Sequence, residues 1–105
     1  MSEFRKLDAG KPRMDLLPPL ALVEVSKVLG YGAAKYEAHN WRRATTLGRY
    51  SAAALRHVFA WLSGEDRDAE SGLHHLAHAA CCVLFLLELQ MTAVGVDDRH
   101  QGRTP

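Results

Sequence analysis

Between residues 56 and 78 the chain reads RHVFAWLSGEDRDAESGLHHLAH. Glu65, Asp66, Asp68 and Glu70 put four carboxylates within six positions, and His74, His75 and His78 follow within two helical turns. Hard divalent cations such as Mg2+ and Mn2+ take several oxygen ligands, and Mn2+ accepts imidazole too. His74 and His78 are four apart and His75 and His78 three apart, so either pair can share a helix face. The plain alternative is an acidic helix entry favoured by the helix dipole, followed by ordinary histidines. The density of carboxylates beside histidines favours a cation site. Glu70, His74, His78 and Cys82 also fall in line at spacing four. That line suits zinc, but it lacks the tight two-part spacing of a structural zinc site.

Two further signals stand apart from this cluster. On a helix, Glu24 has Leu20, Ala21, Val28 and Tyr31 on its own face, and a carboxylate there needs a cation or a hydrogen-bond network. Glu37 and Glu88 give no comparable signal and read as solvated. The segments KYEAHNWRR, GRY and LRH supply Lys35, Tyr36, Asn40, Trp41, Arg42, Arg43, Arg49, Arg56 and His57. Arg and Lys are the usual partners of phosphate, and Trp and Tyr faces can stack a base. LGYGAAKY has glycines but not the spacing or the preceding strand of a phosphate loop.

The elements that must position these residues are helical. Residues 1–17 read as an extended arm with Gly10, Pro12 and mixed charges, including Lys11 and Arg13. Pro18 and Pro19 suit the first turn of a helix. That helix is expected to be interrupted or kinked at Gly30 and Gly32 and to resume to about Ala38. HNWRRATTLG reads as a loop, with Thr46 as a cap. Leu55, Val58, Phe59 and Leu62 recur at helical spacing and predict a helix over 47–62. A further helix starts from Asp68 or Ser71 and runs to about Thr92. Leu76 to Leu87 is apolar all round, which so small a chain buries most readily against another copy. VDDRHQGRTP reads as a loose tail. The expected architecture is all-α, a small bundle of about four helices, with an arm at 1–17, a helical domain at 18–92 and a tail at 93–105, completed by homo-oligomerisation.

Composition narrows the function classes. The chain has 105 residues, enough for one domain, and a formal charge of +1, too small a basic excess for a general coat on a nucleic-acid polymer. The adjacent Cys81 and Cys82 make a poor disulfide framework, and the N-terminus has no signal-peptide core. The longest largely apolar stretch, Leu76 to Leu87, holds twelve residues with His78 among them, where a membrane span needs about 20. The expectation is a cytoplasmic protein without a membrane partner.

DAGKPRMD with LLPP, then GAAKYEAHNW, then RHVFAWLSGEDRDAESGLHHLAHAACC, in that order, resemble the phage and bacterial dATP/dGTP diphosphohydrolase family. That family is a branch of the all-α, MazG-like nucleoside triphosphate pyrophosphohydrolases. The chain is also similar to the MazZ-type enzymes of viruses that replace adenine with 2-aminoadenine. The resemblance covers about residues 8–90. It implies Mg2+- or Mn2+-dependent hydrolysis of dATP or dGTP between the α and β phosphates, in a dimer or tetramer. The superfamily binds its metal through an E-x-x-E helix followed by an E-x-x-D helix. Here only Glu65–Asp68 matches E-x-x-D, and E-x-x-E does not occur, so Glu24, His75 and His78 are the available replacements.

The resulting expectation has Glu65 and Asp68 as catalytic metal ligands, joined by Glu24, His75 and His78, with Asp66 and Glu70 in reserve and His57 orienting a phosphate or water. Lys11, Arg13, Lys35, Arg49 and Arg56 are the phosphate candidates, the first two by closure of the arm. Tyr36, Asn40 and Trp41 belong to the same substrate-binding group, Asn40 and Trp41 as base contacts. The rival reading is a non-catalytic dimeric helical regulatory module.

Overall fold

The structure is a computed structural model that describes residues 3–44 and 46–100. Among these residues it is all-α: helices α1 (Pro19–Lys35), α2 (Gly48–Leu62) and α3 (His75–Met91), with short 3-10 turns at Met14–Leu16 and Asn40–Arg43. The expected fourth helix is supplied only by these turns. There is no strand among the described residues, only two isolated bridges. α3 lies between the other two, packing most extensively on α2 and less on α1. No described helix is long and apolar enough to cross a membrane.

Pro18 is extended and Pro19 opens α1, where a missing N–H leaves no bond unmade. The expected break at Gly30 and Gly32 does not occur. Both glycines are helical, and the helix ends at Lys35 rather than near Ala38. A helical glycine costs about 1 kcal/mol relative to alanine, and α1 tolerates two because Val25 and Val28 are held in the core with Ala77 and Cys81. Phe85, Leu73 and Ala80 pack around that small cluster, and Leu89 is fully buried farther along α3. Burial drives the Cys81 thiol up to about 12, so it is packing material rather than a nucleophile.

α2 begins at Gly48 in a way the sequence did not indicate. Thr46 is not its cap. Leu47 occupies the N-cap position with no side-chain bond, and the cap comes from the far end of the chain: Asp98 Oδ1 accepts from the Gly48 N–H at 2.7 Å. Val96 carbonyl accepts from Leu47 N–H at 2.9 Å, beside a parallel bridge between Thr46 and Val96. The segment 96–98 is thus docked, which corrects the expectation of a loose tail from residue 93. Residues 101–105 lie outside the described residues. A Cβ on residue 48 would sit 2.5 Å from Asp98 Oδ2, so glycine is what admits the carboxylate. Asp98→Ala is expected to cost about 1 kcal/mol, the usual worth of a cap, lowering Tm by roughly 4–8 °C. A thermal melt followed by circular dichroism at 222 nm checks this.

Asp68 and Ser71 do not start α3. They belong to the connection between α2 and α3, which backbone bonds hold in a fixed shape: Asp68 N–H to Leu73 carbonyl and His75 N–H to Asp66 carbonyl, both 2.8 Å. Gly72 turns the chain at φ +73°, a left-handed conformation that glycine adopts at no steric cost. His74 is the N-cap, its Nδ1 accepting from Leu76 N–H at 3.1 Å. Because α3 starts only here, Glu70 and His74 are not on the helix that carries His78 and Cys82. The line that suited zinc is therefore not formed.

Candidate active site

α2 carries His57, α3 carries His75 and His78, and the shaped connection carries Asp68. One nitrogen each from His57 and His75 and one oxygen from Asp68 come within 4.8 Å of one another. The two Nδ1 atoms are 2.8 Å apart, close to the spacing of about 3 Å that adjacent ligands take around a cation bound at about 2.1 Å. His75 is buried. Its Nε2 lies 3.1 Å from Glu65 Oε1. With that carboxylate accepting, the proton sits on Nε2 and the lone pair of Nδ1 faces His57 and Asp68.

The surrounding contacts tune these groups. His57 and His78 stack at 4.5 Å with nearly parallel rings. Burial, reinforced by the neighbouring histidines, lowers the pKa of His57, and burial lowers that of His78. Both are therefore neutral imidazoles at pH 7, the form that ligates a metal or takes a proton. His78 Nε2 meets Ser71 Oγ at 2.7 Å, and the Ser71 N–H donates to Asp68 Oδ2 at 2.8 Å. Burial pushes the Asp68 pKa up, but the hydrogen bonds from Ser71, helped by the charge of the adjacent histidines when these are protonated, outweigh it, and the carboxyl lies below its ordinary range.

Glu24, Glu65 and His78 fall outside this three-residue group, contrary to the expectation that all five ligands converge. Glu24 meets Lys27, one turn along α1, at 2.6 Å, a partner the sequence showed at spacing three. That ion pair lowers its pKa against the effect of burial and places a cation beside the carboxylate, while the buried Oε2 makes no hydrogen bond among the described residues. Glu70 accepts from Tyr31 Oη at 2.9 Å and from Lys35 Nζ. This ties the end of α1 to the connection before α3.

Beside the histidines opens a cavity of about 1110 Å3. Its wall includes His57, Asp68, His78, Lys35 and Arg56 together with Tyr36, Asn40 and Trp41. Trp41 stacks on Phe85 at 4.8 Å, and Tyr50 meets the same ring edge-on at 5.2 Å. The structure thus gathers Lys35, Tyr36, Asn40, Trp41 and Arg56 at one cavity. It does not gather Arg49, which is exposed in the first turn of α2 and outside the cavity. Lys11 and Arg13 are also absent from it, because the arm lies apart and Arg13 pairs with Asp15 at 2.8 Å. Sequence reasoning missed Tyr31, Tyr50 and Phe85, and it read Glu37 and Glu88 as plain solvated residues although both line the cavity. Tyr31 was visible as a residue seven positions from Glu24. Tyr50 and Phe85 carried no signal beyond helical apolar spacing.

The family model described as dATP/dGTP diphosphohydrolase, N-terminal, matches residues 2–99. The chain belongs to that family. A relative in Salmonella phage PMBT28, called dATP/dGTP diphosphohydrolase, is 38% identical over 95 residues. Those residues are 90% of this chain and 32% of the relative, so the chain spans about a third of that phage protein's length. No solved structure matches the chain. The family match runs from the arm to the segment 96–98, so it takes in every element that builds the dATP/dGTP diphosphohydrolase N-terminal domain described above.

Proposed function

We propose that this chain hydrolyses dATP or dGTP between the α and β phosphates, giving the deoxynucleoside monophosphate and pyrophosphate with the help of Mg2+ or Mn2+. The observation that carries the reading is the convergence of His57 and Asp68, on the wall of a cavity large enough for a nucleotide, with the buried His75 behind them. Two imidazoles and a carboxylate fit a divalent cation and place nitrogen in its shell, which Mn2+ accepts more readily than Mg2+. Asp68, His57 and His75 would hold the cation, and Glu65 would orient His75 from behind, a supporting role in place of the direct ligation expected from the sequence. The cation, when bound, supplies Lewis-acid charge neutralisation and an acidified water. His57 gives up its Nδ1 proton, or shifts it to Nε2, to offer a lone pair. Lys35 and Arg56 neutralise the phosphates where charge develops. Tyr36, Asn40 and Trp41 face the nucleoside. Water adds its oxygen to the α phosphorus, the bridging oxygen leaves with pyrophosphate, and a neutral imidazole of the cluster can take the water proton. Supply or clearance of purine deoxynucleotides during phage growth, including 2-aminoadenine supply, is the role this chemistry would serve.

The test is a product assay over the eight common nucleoside triphosphates with Mg2+, with Mn2+ and with a chelator. Monophosphate and pyrophosphate should appear from dATP or dGTP, with Mn2+ giving at least a several-fold higher rate than Mg2+ at equal concentration. Inorganic phosphate as the sole product, or full activity in chelator, overturns the reading.

A further inference from the structure

Among the described residues, the arm, residues 3–17, makes no hydrogen bond or ion pair to the rest of its own chain, and all residues from 3 to 23 are exposed. This stretch is nonetheless not built for water: Phe4 and Leu7 are 90% and 88% exposed, and Leu20, in the first turn of α1, is 83% exposed. The whole chain exposes 8475 Å2, where a compact monomer of this mass exposes about 5,800 Å2. The excess of about 2,600 Å2 exceeds the roughly 800 Å2 that each partner gives to a standard interface. The radius of gyration, 17.7 Å, compares with about 13 Å for a compact chain of this length. The excess lies in an undocked arm and in exposed apolar side chains, area that a second copy can cover.

Charge identifies where the arm goes. The charged lining of the cavity is four carboxylates against Lys35, Arg42 and Arg56. Lys35 is already engaged by Glu70, and Arg42 lies over the Trp41 ring at 5.2 Å. The site is thus short of cations for a triphosphate. The arm has the opposite sign: residues 3–17 carry Arg5, Lys6, Lys11 and Arg13 against Glu3, Asp8 and Asp15, with Arg13 held by Asp15 in the single chain. It leaves from the Pro19 end of α1, while the cavity is lined by α1 only from Val25 to Lys35.

We propose that the arm of one copy lies across the cavity of a second copy, seated by Phe4 and Leu7, so that Lys11 and Arg13 reach the triphosphate in trans. This rests on the triphosphate reading above. Each site is then assembled from two chains, and the open cavity of the single chain is half of the functional one.

The test uses a mixed oligomer. Lys11→Ala with Arg13→Ala should raise KM by roughly 10-fold or more through lost charge-assisted phosphate contacts, and Asp68→Ala should abolish turnover. The two variants, separately tagged, are co-expressed and the mixed species is isolated. In trans, the arm of the Asp68→Ala copy completes the site of the other, and the mixed dimer regains about half of the parental rate at low substrate, one of two symmetric sites. No recovery, or parental kinetics for the arm variant alone, overturns the proposal. If the parent shows no hydrolysis, the activity reading fails, and sedimentation of a chain lacking residues 2–13 still decides the docking. Self-association at least 10-fold weaker supports it, and an unchanged constant overturns it.

Discussion

Asp68→Ala is expected to reduce pyrophosphate release from dATP and dGTP by at least 10²–10³, the usual effect of removing one preorganised electrostatic contact. Asp68 is the one carboxylate grouped with His57 and His75, and it loses its charge at the point where phosphate charge is redistributed. It also receives the Ser71 N–H at 2.8 Å, so truncation loosens the connection and lowers stability. Relief of repulsion among neighbouring carboxylates does not compensate, since Glu70 is neutralised by Lys35 and Glu65 faces His75. Asp68→Asn separates the two effects. The amide oxygen can keep the Ser71 bond and the fold, while the anionic ligand is gone, so the rate should fall nearly as far with Tm close to the parent. Glu65→Ala acts only through His75 and should cost roughly 10–100-fold, the range for an outer partner of a ligating histidine. Glu88 lines the cavity and is no neutral control. Gln90, exposed on α3 and outside the cavity, is. Initial rates at saturating Mn2+ on folded variants decide the matter. Parental turnover by both Asp68 variants would move the metal away from this group.

Why the site was half legible follows from the kinds of signal involved. α2 was readable to within one residue because Leu55, Val58, Phe59 and Leu62 mark one face and the Gly64 turn ends it. The carboxylate and histidine cluster was readable because such density is unusual in a short connection. Which members face one another was not, because that is set by the backbone bonds from Asp66 to His75 and from Asp68 to Leu73. These bonds turn Asp68 toward the histidines and let Glu65 reach His75 from the other side. Glu24 was misjudged because its Lys27 partner was passed over. The unbroken course of α1 through Gly30 and Gly32 reflects tertiary packing overriding propensity. The docking of Asp98 on Gly48 spans fifty residues and leaves no local trace. Arg49 and Arg56 are both exposed and lie seven positions apart on one face of α2, so only the distance along the helix, about 10 Å, leaves Arg49 outside the cavity that Arg56 lines.

Phe59→Lys is expected to turn an oligomer into a folded monomer. The all-round apolar character of α3 predicted burial on every side, yet Val83, Leu87 and Met91 remain exposed in the single chain, as do Leu55, Phe59 and Leu62 on α2. Phe59 is 62% exposed and lines no part of the cavity. Lysine there disturbs neither the core of Val25, Val28, Ala77 and Cys81 nor the ligand group. Burying a large apolar side chain contributes about 1.5–3 kcal/mol. In a two-fold interface the change is made twice, so self-association should weaken by well over about 10²-fold even before the cost of desolvating the ammonium. Light scattering at micromolar concentration should show the parent at twice 11.6 kDa or more and Phe59→Lys at the monomer mass, with the helical signal at 222 nm retained in both. A parent that is strictly monomeric, or a variant that assembles like the parent, would leave these exposed faces without a second copy to cover them. Because the cavity is proposed to be completed by a neighbouring arm, the folded Phe59→Lys monomer should also lose affinity for dATP and dGTP while keeping its own Asp68, His57 and His75 intact. The parent's KM should rise together with its monomer fraction as the protein is diluted.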